Sequence, residues 1–164
     1  MNQKAKKILI SFLKYAVVFI VAINIVSYYN SLDLNKDKLS KQSFALLDGS
    51  NYEVKQNKPL LLHFWATWCP ICALEEQNIQ SLSKDYEVVT IAVQSGEDEE
   101  VAKYLEKNNL TFNVVNDEFS NLAREFNIKA FPTTFIYDKN QNLKFSEVGY
   151  SSTLGLKLRL WLSH

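Results

Sequence analysis

The chain has 164 residues, which is enough for one domain plus an extension. Its apolar fraction of 47% and aromatic fraction of 13% are ample for a packed core. The 18 basic and 18 acidic residues give a formal net charge of zero, so no electrostatic footprint favours nucleic acid as a partner.

Residues 1–29 predict a cytoplasmic N-terminus followed by a transmembrane signal-anchor. Four lysines and no acidic residue occur in the first 14 residues, and an apolar segment of 22 residues runs from Ile8 to Tyr29. That length is close to the ~20 residues that cross a bilayer core, and lysines preceding such a segment favour a cytoplasmic N-terminus. A cleaved signal peptide stays open because the uncharged core, 15–26, is short, although no small-x-small cleavage pattern follows it. A buried soluble helix is the remaining alternative.

Residues 30–42 are polar and irregular, which predicts a tether, and residues 43–164 are expected to form the folded domain. The domain opens with FALLDGSNYEVKQ, where two short alternating runs flank Asp48-Gly49 and predict a β-hairpin. The continuous apolar run 60–65 then predicts a strand covered on both faces by helices.

The remaining elements alternate between helix and strand. The pattern Ile71, Leu74, Ile79, Leu82 predicts a helix from Pro70 to about Tyr86. The sequence then predicts a strand at 87–93, a helix from 97, a short strand near 112–115, a helix at about 118–126, strands in TTFIYD and LKFSEVGY around a turn at 139–142, and a closing helix at 153–162. Four acidic residues at 97–100 are interpreted as favourable charge at a helix N-terminus and not as a metal or partner site. The predicted order from residue 60 is βαβαβαββα.

The chain has only two cysteines, Cys69 and Cys72, at a predicted helix start. A structural disulfide acts by closing a long loop, and this pair closes almost none, so a redox or metal role is favoured. Backbone N–H groups and the helix dipole should lower the pKa of Cys69, which makes it the attacking sulfur and Cys72 the resolving one. A closed zinc site needs four ligands, and the only further candidates are His63, in a predicted buried strand, and His164. The sequence therefore predicts no metal site and no cofactor.

The motif WCPIC after an apolar strand, the order βαβαβαββα and the later FPTTFIYD together resemble the thioredoxin superfamily. More narrowly, they resemble its membrane-tethered extracytoplasmic branch, which includes the cytochrome c maturation reductases. The segments FWATWCPIC, TIAVQSG and VGYSSTLGLKLRLWL resemble the suppressor-of-copper-sensitivity D type of disulfide oxidoreductase, over roughly residues 43–162. The resemblance implies an α/β thioredoxin fold, in which helices flank a central mixed sheet, with an N-terminal hairpin extension and one transmembrane helix.

The resemblance also implies roles for residues around the cysteine pair. Pro132 matches the cis-proline that faces the pair, and with Phe131 it is expected to form a substrate-docking groove. Trp68 matches the tryptophan beside the nucleophile, and it also suits a core position.

Two further residues are candidates for proton transfer. Glu75 matches a glutamate near the pair in the tethered reductases, where it would tune acid–base chemistry, and exposure on the helix surface is the alternative. His63 lies where many thioredoxins have a buried Asp. It is expected either to accept the Cys72 proton or to be a satisfied core residue.

Together these features predict a thiol:disulfide oxidoreductase anchored in the cytoplasmic membrane, with its catalytic domain facing the periplasm or cell exterior. Its expected partners are protein thiol or disulfide clients and a membrane electron-transfer protein that recycles the cysteines, and a reductant is favoured. A dithiol oxidase and a non-catalytic module that binds a client or copper are the alternatives. The Pro-Ile dipeptide does not decide the direction, because ~30 mV already corresponds to ~1.4 kcal/mol.

Overall fold

The computed structural model describes residues 3–164, so residues 1 and 2 of the predicted anchor lie outside it. Side chains are described from Ile10 onward, except at 16, 19, 20, 23, 24, 28 and 30. The first helix, α1, spans Gln3–Leu32. In the described part of the chain, no helix combines the length and apolarity needed to span a bilayer. The C-terminal part of α1 contacts the folded domain, where Ser27 Oγ donates to the Val148 carbonyl at 2.7 Å.

The predicted hairpin is confirmed. Strands β1 (Ser43–Ala45) and β2 (Asn51–Glu53) pair in antiparallel register. The turn between them is stabilised by Asp48, whose Oδ1 accepts from the Ser50 amide at 2.9 Å, while Gly49 adopts a φ of 82° that favours glycine.

A five-stranded mixed sheet forms the centre of the domain, as expected for a thioredoxin fold. Its strands are β3 (Leu60–Trp65), β4 (Glu87–Val93), β5 (Asn113–Asp117), β6 (Thr133–Tyr137) and β7 (Leu143–Val148), arranged in the order β5-β4-β3-β6-β7. Strand β3 pairs in parallel with β4 and in antiparallel with β6. The connecting helices are α2 (Pro70–Leu82), α3 (Asp98–Lys107), α4 (Asn121–Glu125) and α5 (Thr153–Leu162). The order from β3 onward is therefore the predicted βαβαβαββα.

Strand β3 separates two apolar cores. Leu61 and Trp65 pack with α2 and α5 on one face, whereas Leu60, Leu62 and Phe64 pack on the opposite face with residues that include Phe126. Every residue of β3 is buried, which confirms a strand covered on both sides. The site at the end of β3 is thus held by a fully buried strand of the sheet.

The buried face of α2 differs from the one that the apolar pattern predicts. Ile79 and Leu82 are buried as the pattern predicts, but Ile71 and Leu74 are exposed. The other residues of α2 that face the core are Cys72, Glu75 and Gln80. Cys72, Glu75, Ile79 and Leu82 recur at spacings of three and four residues, so they form one face of the helix, and Ile71 and Leu74 lie outside that face. Helix α2 also ends at Leu82, because the amides of Asp85 and Tyr86 bond to the Leu82 carbonyl in a turn.

Two other boundaries shift for a local reason. Strand β5 continues to Asp117, whose carboxylate accepts from the amides of Leu122 and Ala123. These bonds satisfy the first free N–H groups of α4, which therefore begins at Asn121 and not near 118.

The segment 33–42 contains no regular secondary structure and lies along the domain. Leu34 and Leu39 are buried in the core that contains Phe64. The Leu39 amide donates to the Gln141 carbonyl at 2.9 Å, and the Asn35 amide donates to the Phe126 carbonyl at 3.2 Å.

Candidate active site

The two cysteines lie at the start of α2, directly beyond β3. Cys69 is the N-cap residue, with an extended backbone, and its Sγ accepts from the Cys72 amide at 3.2 Å. The two sulfurs form a disulfide, and both residues are buried. Pro70 occupies the first helical turn, where its missing N–H removes no helical hydrogen bond. The Cys69 sulfur is therefore placed at the positive end of the helix, where a thiolate is stabilised.

The rim beside the disulfide is aromatic. Trp68 is 58% exposed, and its Nε1 donates to the Gln94 carbonyl at 2.9 Å. Its ring meets the Phe131 ring edge-on, with 5.7 Å between centroids. Residues more than sixty positions apart in the sequence thus form one surface, and Trp68 is not a core residue.

The second side of the site is the loop before β6. The peptide bond between Phe131 and Pro132 is cis, as expected from the resemblance. Pro132 is buried and its carbonyl accepts from the Gly149 amide at 2.8 Å. The Thr133 hydroxyl donates to the Ala130 carbonyl at 2.8 Å, which fixes the turn. The loop is therefore held by the residue that follows β7 and by the side chain of Thr133.

His63 lies beneath the site in the middle of β3. It alternates with Leu61 and Trp65, so its side chain is on the sheet face that α2 covers. Its Nδ1 is 2.9 Å from the Thr134 hydroxyl, the neighbouring position on β6. Burial lowers the pKa of His63 to about 3, so the imidazole is neutral near pH 7. His63 has the hydrogen-bond partner expected of a satisfied core histidine.

Glu75 lies one turn beyond Cys72 on α2, and its predicted alternative of surface exposure is wrong. The residue is 0% exposed, and neither carboxyl oxygen has a partner in hydrogen-bonding geometry. Burial raises the pKa of Glu75 to about 8, against a smaller opposing effect of the Ser151 backbone, and the Glu147 carboxylate adds to the increase. Glu75 is therefore mostly protonated at pH 7, when an exposed glutamate is ionised.

Sequence reasoning missed Ser95, which supports the loop before Cys69. Its buried hydroxyl accepts from the Thr67 amide at 3.0 Å and donates to the Val93 carbonyl at 3.1 Å. A signal was present, because the carboxyl ends of the parallel strands β3 and β4 meet at one edge of the sheet and Ser95 is the second residue after β4. Ser151 and Glu147, which both act on the pKa of Glu75, carry no comparable signal, since they lie more than seventy residues from Glu75 in the sequence.

Metal ligation has no obvious candidate in the part of the chain that the structure describes. Among residues 3–164, no group of three or more His, Cys, Asp or Glu side chains is arranged to hold an ion. The chemistry available at the site is that of the cysteine pair and the two buried titratable residues beside it.

Comparisons with known proteins agree with this arrangement. The model of the AhpC/TSA family matches residues 34–146. A thioredoxin-like protein of Haemophilus influenzae is 34% identical over 98% of this chain and 98% of its own length. The thiol-disulfide oxidoreductase ResA of Geobacillus kaustophilus is 34% identical over 62% of this chain and 63% of its own length. The crystal structure of StoA from Bacillus subtilis superposes with a TM-score of 0.62 and 25% identity, over 73% of this chain and 94% of that one.

Proposed function

The chain belongs to the AhpC/TSA family and is a thioredoxin-like thiol:disulfide oxidoreductase, and from this premise we propose how its residues divide the reaction. Cys69 is the attacking sulfur and Cys72 the resolving sulfur. The observation that carries this assignment is the position of Cys69 as the N-cap of α2, beside the exposed aromatic rim, while Cys72 lies one turn further along the helix and is the less exposed of the two.

The reaction in the reducing direction has two exchanges. The Cys69 thiolate attacks one sulfur of a client disulfide, which forms a mixed disulfide and releases the other client sulfur as a thiolate. Cys72 then loses its proton and attacks Cys69, closing the disulfide and releasing the second client thiolate. Two electrons pass from the cysteine pair to the client, and a thiol donor must return them before the next cycle.

Glu75 is the proposed acceptor of the Cys72 proton. Its carboxyl group follows Cys72 by one helical turn on the same buried face, and its pKa of about 8 is close to that of a thiol. His63 is a much weaker base, because burial lowers its pKa to about 3. The hydrogen bond between His63 and Thr134 instead supports a role in fixing β3 against β6 below the site.

Trp68, Phe131 and Pro132 form the proposed docking groove for a protein client. Exposure of Trp68 and its edge-on contact with Phe131 supply an apolar surface next to the disulfide. Large aromatic side chains of this kind contribute strongly to binding when a partner buries them.

The chain is further proposed to work outside the cytoplasm as a membrane-tethered reductant. The proposed division is an anchor in residues 1–29, a connecting segment in 30–42 and the catalytic domain in 43–164. Large apolar side chains along α1 are exposed, which fits a lipid environment: they include Phe12, Leu13, Val17, Val18, Val21, Ile25 and Val26. A C-terminal fusion to a reporter enzyme that is active only outside the cytoplasm tests the orientation, and an inactive fusion would contradict it.

The proposed subtype is the suppressor-of-copper-sensitivity D type, with protein clients and a membrane electron-transfer partner that recycles the disulfide. Reduction potential decides between this reductant and a dithiol oxidase of the same fold. Equilibration of the full chain with glutathione measures it, and a strongly reducing value excludes the oxidase, whereas a strongly oxidising value rejects the reductant.

Cysteine substitutions test the division of roles. C69A should abolish turnover of a disulfide-containing client, because no sulfur remains to form the mixed disulfide. C72A should accumulate that mixed disulfide, which is visible as a covalent adduct on a non-reducing gel. Trapping through Cys72 in the C69A variant would reverse the assignment, and unchanged exchange in both variants would reject the enzyme mechanism.

A further inference from the structure

The outer face of α5 is apolar. Its four large side chains are each more than half exposed and follow the i, i+4, i+7, i+8 pattern of one helical side: Leu154, Leu158, Trp161 and Leu162. The opposite side is apolar as well, because Leu156 and Leu160 are buried in the core that contains the cysteine pair. A helix that is apolar all round is normally covered all round. The outer face of α5 is therefore exposed although its composition is that of a covered surface.

Helix α3 shows that this composition is not shared by every surface helix of the domain. The exposed side chains of α3 are mostly charged, and they include Glu99, Lys103 and Glu106. Single exposed apolar residues are ordinary on a protein surface, whereas a contiguous apolar patch marks a site of contact with protein or lipid. The outer face of α5 is such a patch.

The remaining residues of α5 favour lipid as the contact. The helix has no acidic residue, and its two cations, Lys157 and Arg159, are partly exposed along its sides. Arg159 pairs with Glu147 at 2.7 Å, whereas Lys157 lies 3.7 Å from the exposed Asp85 and is free to reach a phosphate. Leucine and tryptophan on one face with flanking cations are typical of helices that lie in the bilayer interface. A stable dimer, in contrast, needs about 20–30 residues on each side.

Helix α1 brings a second exposed apolar surface to the same edge of the sheet. Strand β7 is the edge strand that α1 contacts, and Ser27 Oγ donates to the carbonyl of Val148, the last residue of that strand. Helix α5 begins at Thr153, shortly after Val148. The two helices are thus attached to the domain at the end of one strand, so a bilayer that holds α1 lies within reach of α5.

We propose that the outer face of α5 lies in the interface of the bilayer that holds α1, so that the catalytic domain rests on the membrane surface. With 10 residues, α5 is too short to cross a bilayer, and it lies along the surface. The inference adds a lateral contact to the proposed anchor. It rests on the function proposed above in taking the membrane as the place where the chain acts.

Contact through α5 holds the cysteine pair near the lipid surface. Thr153 at the start of α5 donates to Asn78 Oδ1 of α2 at 2.8 Å, and the two helices pack together. The cysteines lie at the start of α2, in the same apolar cluster as the buried side of α5. This arrangement suits a thiol partner that is embedded in the membrane, since such a partner meets the disulfide without the domain leaving the surface.

Trp161 reports directly on the proposed contact. The chain has three tryptophans, Trp65, Trp68 and Trp161, and α1 contains none of them. The full chain is reconstituted in vesicles of phosphatidylcholine and phosphatidylglycerol with brominated acyl chains, because bromine quenches tryptophan on contact. The wild type should lose emission relative to vesicles without bromine, and W161F should show no such loss. L158E should also abolish the loss, because it places a charge in the face that meets the acyl chains.

The matched control is F119E. Phe119 is 69% exposed and follows β5, the edge strand at the opposite end of the sheet, so F119E adds the same charge at an apolar surface position away from α5. Its quenching should equal that of the wild type. Quenching in W161F equal to that in the wild type would overturn the inference, as would a loss in F119E as large as that in L158E. Quenching that disappears in W68F and persists in W161F would overturn it too, because the aromatic rim would then be the surface that meets lipid.

A further outcome would assign the face to a second copy of the chain. In that case Trp161 is not quenched, and the reconstituted chain gives a cross-linked dimer that L158E abolishes, which overturns the lipid contact. The comparison of wild type with W161F does not depend on how L158E folds.

Flotation of the same vesicles in a density gradient tests the proposed anchor separately. If the chain floats with the vesicles and Trp161 is not quenched, the contact through α5 fails and the anchor stands. If the chain does not float, both the anchor and the contact through α5 are rejected, whereas the thiol chemistry of Cys69 and Cys72 is unaffected.

Discussion

Replacing Glu75 by glutamine should change how the stability of the folded protein depends on pH. In the unfolded chain the carboxyl group ionises near its ordinary pKa of 4.5, and burial in the folded protein raises that pKa to about 8. Because the folded state binds the proton more tightly, its stability is highest below pH 4.5 as far as this group is concerned, and it falls as the pH rises towards 8. Each pH unit within this window corresponds to about 1.4 kcal/mol.

Over the whole range from pH 4.5 to pH 8, ionisation of Glu75 lowers the unfolding free energy of the wild-type protein by about 5 kcal/mol. E75Q has no ionisable group at this position, so its stability does not fall over this pH range. Its buried amide lowers the unfolding free energy by an amount that does not depend on pH. The difference in unfolding free energy between E75Q and wild type should therefore move by about 3 kcal/mol in favour of E75Q from pH 5.5 to pH 8.5. Other titrating groups cancel in this difference, so Glu75 alone determines its slope.

Urea denaturation of both oxidised proteins at the two pH values measures the difference, with equal m-values as the condition for comparison. Glu106 on α3 is exposed and supplies the matched control, since E106Q changes the same functional group without changing a buried one. A difference that stays constant within about 0.5 kcal/mol between the two pH values would refute the assignment of Glu75 as a buried, neutral carboxyl group.

Three further predictions concern neighbouring residues. W68A should lower kcat/KM for a protein client about tenfold, a loss of ~1.4 kcal/mol, with the redox potential of the cysteine pair little changed, as steady-state kinetics and glutathione equilibration would show. H63N should remove a loss of stability in acid, because His63 stays neutral when folded but binds a proton below its ordinary pKa of 6.5 when unfolded. Urea denaturation at pH 6.5 and pH 4.5 should show the wild type losing about 2 kcal/mol more than the variant. L61A should cost about 2–5 kcal/mol of unfolding free energy at any pH, because it opens a cavity in the core beneath α2.

The sequence predicted the fold well where a short run of residues is by itself sufficient to determine the local structure. The continuous apolar run of β3 requires cover on both faces, and Asp48-Gly49 suits a tight turn between short strands. Boundaries were less accurate wherever a side chain caps an element, as Asp117 does for α4. Residue spacing alone does not show whether a carboxylate such as that of Asp117 ends a strand, caps the following helix or does both.

The geometry around the cysteines could be predicted only in part. Trp68 and Phe131 meet because β3 ends, and β6 begins, at the same edge of the sheet, which the order of elements implies. The burial of Glu75 was harder to predict, because the apolar pattern pointed to Ile71 and Leu74 as the inner face of α2. Cys72, Glu75, Ile79 and Leu82 also recur at helical spacing, and only the charge of Glu75 concealed its place on that face.

The two buried titratable residues below the disulfide oppose each other in their effect on stability. His63 penalises the folded state as the pH falls below 6.5, and Glu75 penalises it as the pH rises above 4.5. Between these values the two slopes cancel, so together they place the stability optimum on the acidic side of neutral. At pH 7 only about a tenth of Glu75 is ionised, given a pKa of about 8, and this fraction is the form able to accept the Cys72 proton. Ionisation makes Glu75 a base and at the same time lowers the unfolding free energy, because the charged carboxylate is buried. This loss of stability is the expected consequence of placing a proton acceptor in the core near a buried thiol.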